Sequence, residues 1–253
     1  MKNSFTKKQR YISAASILVL LILWKLLSLY YKSDFILPSP EKTLLTVCQL
    51  FVTPDFLTVV GVTLLRGVIG FAIAAVIGIV CGIFAGLSPG FHAFINPIIV
   101  ITRSTPVIAI TLLALIWFSP NMMPVFIGLL TMFPIICINV MDGMKSVDPN
   151  LTNMAQFYRI KRKRIVRDIY LPAITPFVIS GISTAVGIGW RAIIVGEVLS
   201  QPKYGIGTQM QSAQSFLRVD VLIAWTFVAI LISYLFEMLI RHSEHKLVKW
   251  KNE

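Results

Sequence analysis

The residues of this sequence that could do chemistry are a few polar side chains within long apolar stretches. Arg103, Arg191 and Glu197 are charged, and Asn139 and Trp190 can form hydrogen bonds. A charge at the centre of a bilayer is costly and usually faces a cavity or a partner. If these stretches cross a membrane, all five residues are candidates to line a pathway. The alternatives are that Arg191 pairs or snorkels and that Glu197 lies near an interface.

No group of residues predicts catalysis or a metal site. The cysteines and histidines lack the spacing of metal ligands: Cys48, Cys81, Cys137, His92, His242 and His245. No G-x-x-x-x-G-K-[ST] occurs, so the chain has no phosphate loop of its own, and we expect no cofactor. A membrane enzyme would need clustered His, Asp or Cys at one membrane face, and the sequence has no such cluster. We therefore do not expect an enzyme.

The composition is that of a membrane protein. Hydrophobic residues make up 56% of the chain and charged residues 13%, against about 25% charged in a soluble domain. The net charge of +12 could suggest nucleic-acid binding. However, the basic residues cluster at the ends of the apolar runs, which is the pattern of membrane topology rather than of a nucleic-acid-binding stripe.

Six apolar runs are long enough to span a bilayer, which takes about 20 residues. The first covers residues 11–31, and we expect it to be an uncleaved span. The next two share an uncharged stretch, one ending near Leu87 and the other beginning near His92; the fourth follows the turn at residues 119–121; the last two cover residues 172–199 and 221–240. The pattern predicts an all-α polytopic membrane protein with six transmembrane helices.

The distribution of Lys and Arg predicts that both termini are cytoplasmic. With the N-terminus inside, fifteen basic residues lie in cytoplasmic segments and four in outer segments, as the positive-inside rule requires. Arg66, near a helix end, is expected to be an interfacial anchor. We predict an N-terminal part (1–57), a core domain (58–240) with a cytoplasmic loop at 144–171, and a cytoplasmic tail (241–253).

Two of the runs carry stripes of small residues. These are Gly70, Ala74, Gly78, Gly82 and Gly86 in the second run, and Gly181, Ala185, Gly189, Ala192 and Gly196 in the fifth. Small residues let helix backbones approach closely in lipid, so the stripes predict a tight bundle. In the fifth run, Trp190 and Glu197 are expected to share a polar-aromatic face opposite the stripe, with Arg191 about 100° from Trp190.

The long basic loop contains apolar residues at helical spacing: Leu151, Met154, Ala155, Tyr158, Ile165 and Ile169. Asp148 is expected to cap a helix that begins at Pro149, and Leu171-Pro172 to mark where the chain turns back into the membrane. Two interpretations remain open. The helix could lie on anionic lipid, or it could be the docking surface for a partner.

This loop resembles the cytoplasmic loop of binding-protein-dependent ABC permeases. In that family the pattern is Glu-Ala-Ala, three residues, Gly, nine residues and Ile-x-Leu-Pro. Asn153-Met154-Ala155 stands at Glu-Ala-Ala, Arg159 at the Gly, and residues 169–172 match the end. The spacing is kept, but the Glu and the Gly are replaced.

Further matches extend the resemblance over about residues 36–250. They are Thr63-Leu64-x-Arg66 with Gly70-Phe71; Arg103-Ser104-Thr105-Pro106 with Trp117-Phe118; Pro134, Asn139 and Gly143; Leu171-Pro172-Ala173, Pro176, Gly181, Trp190 and Glu197; Gly205-Ile206-Gly207; and Trp250. The second of these groups resembles the taurine, sulfonate and nitrate branch of the family.

The resemblance implies the permease fold of type I ABC importers in the bacterial cell (inner) membrane. The expected partners are a second copy of this chain, two subunits that bind and hydrolyse ATP, and an external substrate-binding protein. It implies that the ATPase contacts the residues Leu151, Asn153, Met154, Ala155, Tyr158 and Arg159. The solute could be a sulfonate, taurine, nitrate or a vitamin precursor. The alternative is a secondary transporter, for which we would expect an inverted repeat and buried acidic residues; the sequence shows no repeat.

Overall fold

The computed structural model describes residues 7–247, and all regular structure in this range is helical. The helices are α1 (Lys7–Tyr31), α2 (Pro40–Val52), α3 (Phe56–Leu87), α4 (Pro89–Ser104), α5 (Val107–Trp117), α6 (Met123–Lys145), α7 (Pro149–Phe157), α8 (Arg162–Ile165), α9 (Leu171–Ser200), α10 (Ile206–Ser215) and α11 (Val219–Leu247), with a π-helical segment, Val166–Tyr170, between α8 and α9. The all-α prediction is confirmed.

Five helices of the described range are long and apolar enough to span a membrane. They are α1, α3, α6, the continuous helix from α8 to α9, and α11. The pair α4 and α5 passes the same test together, but the two helices are bent by 101° at the break between them. The predicted six spans therefore require this bent pair to count as one.

Thr105 and Pro106 cause the break. Pro106 has no N–H to continue the hydrogen bonds of α4, and the residue before a proline is restricted to extended backbone. Thr105 accordingly has φ −75° and ψ 129°. We predicted no helix break between His92 and the turn at residues 119–121, and the proline introduces one.

The chain divides into two compact units, the first of which contains residues 7–57 and 209–230 of the described range. In this unit α2 is a helix that the sequence analysis did not predict, capped by the side chain of Ser39. The ammonium of Lys25 lies 2.8 Å from the carboxylate of Glu41. This hydrogen bond holds the pKa of Glu41 below its ordinary value.

The second unit contains residues 58–208 and 231–247 of the described range, and its core surrounds α6. Buried side chains from α3, α4, α6 and α9 form one apolar cluster, which includes Ala74, Ile95, Ile99, Met132, Ile136, Val140, Ala185 and Ile193. Helix α6 thus lies between neighbours, which explains why most of its length is buried.

Both stripes of small residues pack on α6. A Cβ added to Gly82 of α3 would lie 2.7 Å from the carbonyl oxygen of Cys137, and one added to Gly196 of α9 would lie 2.8 Å from the Cα of Pro124. Neither site has room for a side chain. The predicted close packing is confirmed for both helices.

Helices α3 and α6 run in the same direction. Gly70, in the first half of α3, faces Val125 at the start of α6, and Gly86 at the end of α3 faces Met144 at the end of α6. Two parallel neighbours can both span a membrane only if the chain crosses back between them. The bent pair α4 and α5 returns the chain between them, which agrees with the predicted six spans if the pair counts as one.

Candidate functional site

A short helix, α7, stands in the basic loop between α6 and α8. The side chain of Asp148 accepts a hydrogen bond of 2.8 Å from the N–H of Asn150, and Pro149 occupies the first turn. An aspartate cap satisfies N–H groups that have no partner within the helix. The predicted start of this helix is confirmed.

The end of α7 places Arg159 in the left-handed region, with φ 52°. The N–H of Ile160 donates to the carbonyl of Ala155 at 3.0 Å, which is the long hydrogen bond of a Schellman motif. Glycine adopts this conformation without strain because it has no Cβ. Arg159 stands where the resembling loops have Gly, so the backbone of this turn still has the shape that suits a glycine.

The apolar residues of α7 divide into one that is buried and several that are exposed. Ala155 is only 2% exposed, so it packs within the chain and is not available to a partner. Met154 is 54% exposed and Phe157 83%, and Leu151 and Tyr158 are exposed beside them. The structure thus adds Phe157 to the exposed apolar side chains of this helix and shows that Ala155 is buried, while the ATPase contact itself stays a prediction. Asn153 is also exposed, and its contact role stays a prediction.

The chain leads from this loop into the next span without a break in the helix. Residues 162–200 form one continuous helix, in which the N–H of Leu171 donates to the carbonyl of Val166 in the wider π pattern. Pro172 has no N–H for the carbonyl four residues before it, and a π turn accommodates such a mismatch. The turn expected at Leu171-Pro172 is thus a widened turn within a helix.

Arg66 of α3 and Glu197 of α9 form a buried ion pair. The two side chains are 6% and 0% exposed, and Nη1 of Arg66 lies 2.6 Å from Oε1 of Glu197. The other carboxylate oxygen, Oε2, accepts hydrogen bonds from the hydroxyl of Thr63 at 3.0 Å and the N–H of Gly207 at 2.9 Å. Both oxygens have donors and the charge is balanced, which are the conditions for burying an ion pair.

The same guanidinium holds two connecting segments. It donates to the carbonyl of Tyr204 at 2.8 Å and to the side-chain oxygen of Asn121 at 2.7 Å. A Cβ on Gly205 would lie 2.7 Å from the carboxylate carbon of Glu197, so the segment passes directly over the ion pair. The interpretation of Arg66 as an interfacial anchor is wrong, because its charge is neutralised inside the protein.

Trp190 and Glu197 lie on a buried face of α9. The ring of Trp190 packs against Phe236, with 5.7 Å between centroids, and against Gly67 of α3. Helix α3 covers this face while α6 covers the stripe of small residues. Trp190 and Glu197 thus share a face of α9 away from the stripe, as predicted, and α3 packs on that face.

The other three pathway candidates occupy different surroundings. Asn139 is half-buried where α6 meets α9, and its amide donates to the carbonyl of Ile135 at 2.8 Å. Arg103 and Arg191 are exposed and line two cavities that have Ile188 in common. The structure thus brings the two arginines to neighbouring cavities and keeps Glu197 apart from them. The pathway roles stay predictions.

Residues 74–249 match the protein family described as the binding-protein-dependent transport system inner membrane component. The match covers more than half of the chain. This chain belongs to that family. The matched residues include α6, α7 and α9. Trp250, the last residue of the resemblance noted above, lies outside the described residues.

Relatives agree with this assignment over nearly the whole permease. It is 27% identical to the putative aliphatic sulfonates transport permease protein of Bacillus subtilis, over 92% of this chain and 85% of that protein. It is 28% identical to the taurine transport system permease protein of Escherichia coli, over 97% and 92%. It is 30% identical to the nitrate import permease protein of a Synechocystis species, over 86% and 82%.

The permease is accordingly a multi-pass membrane protein and the translocation subunit of an ABC importer in the sulfonate, taurine and nitrate branch. Its family is one of transport proteins rather than enzymes. Among residues 14–238, whose side chains the structure describes, no three His, Cys, Asp or Glu side chains come together as a potential metal site.

Proposed function

We propose that two copies of this permease form the pathway of an importer, with two ATP-binding subunits in the cytoplasm and an external substrate-binding protein. The permease itself carries no cofactor, and ATP binds to the partner subunits. In this arrangement α7 docks on the ATPase and transmits its movement to the membrane helices.

The exposed apolar surface of α7 is the observation that carries this proposal. Leu151, Met154, Phe157 and Tyr158 project from a helix surrounded by basic residues. An apolar patch on a water-facing loop is typical of a partner surface, and an amphipathic helix docks by laying that side in a groove. The continuous helix that follows supports transmission, because a rigid element moves as a unit.

The charges of the loop support its cytoplasmic position. Between α6 and α9 lie Arg159, Arg167 and the four basic residues at 161–164, with Lys145 at the end of α6. Such clusters mark cytoplasmic loops. With six spans, both termini then lie in the cytoplasm.

The solute is a small molecule with an anionic group. The names of the relatives refer to aliphatic sulfonates, taurine and nitrate. The first two carry a sulfonate group, and nitrate is itself an oxyanion. We propose the same class for this permease.

The function is tested by replacing Met154 with Asp and measuring how much P-loop ATPase co-purifies with the permease. Met154 is more than half exposed, so the substitution leaves the chain folded but puts an unpaired charge into the docking surface, where it is strongly unfavourable. We expect ATPase co-purification and ATP-driven uptake to be lost. A substitution at Ala155 would not serve, because that residue is buried in the permease itself.

Gln156→Asp is the matched control, since it places the same charge on the opposite, polar side of α7 and should leave co-purification unchanged. Replacing the four basic residues at 161–164 by Gln tests the lipid-surface interpretation. The docking proposal fails if Met154→Asp still co-purifies with the ATPase while the variant with Gln at residues 161–164 loses transport. That result would mean that α7 rests on lipid.

A further inference from the structure

The break between α4 and α5 opens into a cavity of about 250 Å³. Its lining includes Thr102, Arg103, Thr105, Thr131, Pro134 and Ile188. Thr131 is eight residues from the start of α6 and Ile188 is twelve from the end of α9. At a rise of 1.5 Å per residue, the cavity lies roughly 12–18 Å from those helix ends, near the middle of the spans.

The hydrogen-bond donors that remain for a ligand in this cavity are cationic or belong to the backbone. The hydroxyls of Thr102, Thr105 and Thr131 donate to carbonyls of their own helices, at 2.7, 2.7 and 2.8 Å. Helix α5 begins at the cavity with Pro106 as its cap residue, and no side chain caps its first N–H groups. A helix start with free N–H groups favours an anion.

A second cavity, of about 290 Å³, adjoins the first at Ile188. Arg191 and Thr184 line it from α9, and both are exposed. Glu237, which has an interaction of its own, also lines this second cavity, whereas the described lining of the first contains no acidic residue. A negative ligand is therefore held most tightly in the first cavity, beside Arg103.

Among residues 14–238, whose side chains the structure describes, neither Arg103 nor Arg191 has a hydrogen-bond or ion-pair partner. This contrasts with Arg66, which is neutralised by Glu197. A guanidinium keeps its proton in proteins, and a charge at membrane depth needs a counter-charge or water. These two arginines thus present positive charge to the cavities.

We propose that the break between α4 and α5, with Arg103 as its main cation and Arg191 next to it, binds the small anion during its passage. This rests on the proposed function and names a subsite within it. The ligand is one compact oxyanion group, such as a sulfonate, carboxylate or nitrate, because the guanidinium fork pairs with two oxygens of such a group. The start of α5 binds the same group through its N–H donors.

The test uses the full-length chain in nanodiscs of zwitterionic phosphatidylcholine, with ethanesulfonate as the probe and neutral ethanesulfonamide of nearly the same shape as its control. The midpoint of thermal unfolding is measured against probe concentration. Ethanesulfonate should raise the midpoint and ethanesulfonamide should not. Arg103→Gln should weaken the apparent affinity about tenfold or more, since a charged hydrogen bond is lost. Lys203→Gln, which removes an exposed cation outside both cavities, should leave it unchanged.

Three results would overturn the subsite: equal stabilisation of Arg103→Gln, equal stabilisation by the sulfonamide, or loss of the effect when anionic phosphatidylglycerol is added. The last would mean that a lipid headgroup occupies the cavity. Failure of the subsite is distinguishable from failure of the proposed function, because ATPase co-purification is scored on the same preparations and does not depend on Arg103.

Discussion

Three arginines within the spans are accommodated in two different ways. Arg66 is buried and paired with Glu197, whereas Arg103 and Arg191 are exposed at cavities. Burying an ion pair requires the removal of water from both charges, so such a pair adds little net stability; removing one partner, however, leaves an uncompensated charge. The first arginine is therefore structural, and the other two can act on a solute.

Arg66→Ala is expected to reduce the free energy of unfolding by about 3–5 kcal/mol, because the carboxylate of Glu197 is left buried without its counter-charge. The measurement is unfolding of the purified permease in detergent. Arg66→Met combined with Glu197→Leu, which removes both charges, should recover much of the loss. If the single variant is as stable as the double one, the ion pair does not have this role.

Arg159→Gly is expected to stabilise the end of α7 by about 1 kcal/mol, since a non-glycine residue in the left-handed region is strained by roughly that amount. Hydrogen exchange at the amide of Ile160, which closes the turn, should slow about fivefold. Arg159→Ala is the control, because it removes the same charge but keeps the Cβ. Equal slowing in both variants would show that charge rather than backbone strain limits this turn.

At the scale of helices, α6 is the central element of the second unit. It lies parallel to α3 and packs against the small residues of α9, so close backbone approach on two sides fixes its position. Lipid gives no hydrophobic drive between helices, and the stability of this arrangement depends on contact distance.

Gly82→Ala is expected to destabilise the permease by about 1–3 kcal/mol, as overpacking does in other well-packed cores. The added Cβ would lie 2.7 Å from a carbonyl oxygen of α6, and backbone cannot move aside cheaply. Gly61→Ala in the same helix is the control, since nothing lies within 4 Å of its new Cβ; it should be neutral or stabilising. Thermal unfolding in detergent compares the two, and a similar effect at both sites would contradict close packing as the cause.

At the scale of the whole molecule, a single copy of the permease exposes charged side chains at membrane depth. Arg191 is exposed on α9 together with Thr184 and Ile188. Lipid does not solvate such a surface. A second protein surface, with water between the two, would accommodate it, and a second copy of the chain provides one.

The assembled transporter is therefore expected to contain two copies of this permease. Mass measurement of the intact complex in detergent should give two permease chains with two ATPase chains. Co-expression of two differently tagged copies should yield complexes that carry both tags. One copy beside a different permease chain would refute the homodimer.

The sequence by itself determined the class and the start of α7, and it predicted six spans. Membrane spans depend on the sum of local hydrophobicity, and caps such as Asp148 depend on a few adjacent residues, so both can be predicted from short stretches of chain. The spacing of the basic loop likewise carried the family resemblance, although Arg159 replaces its glycine. These features do not require knowledge of which distant residues meet.

Only the tertiary structure decided which polar residues are partners. Arg66 and Glu197 were each visible as separate fragments of sequence, but their separation of 131 residues concealed the ion pair. The burial of Ala155 was hidden for the same reason, since exposure depends on neighbours from elsewhere in the chain, whereas the bend at Pro106 has a local cause that the sequence did contain. Sequence patterns report the period of one helix, whereas the side of that helix that is open to a solute depends on what packs against it.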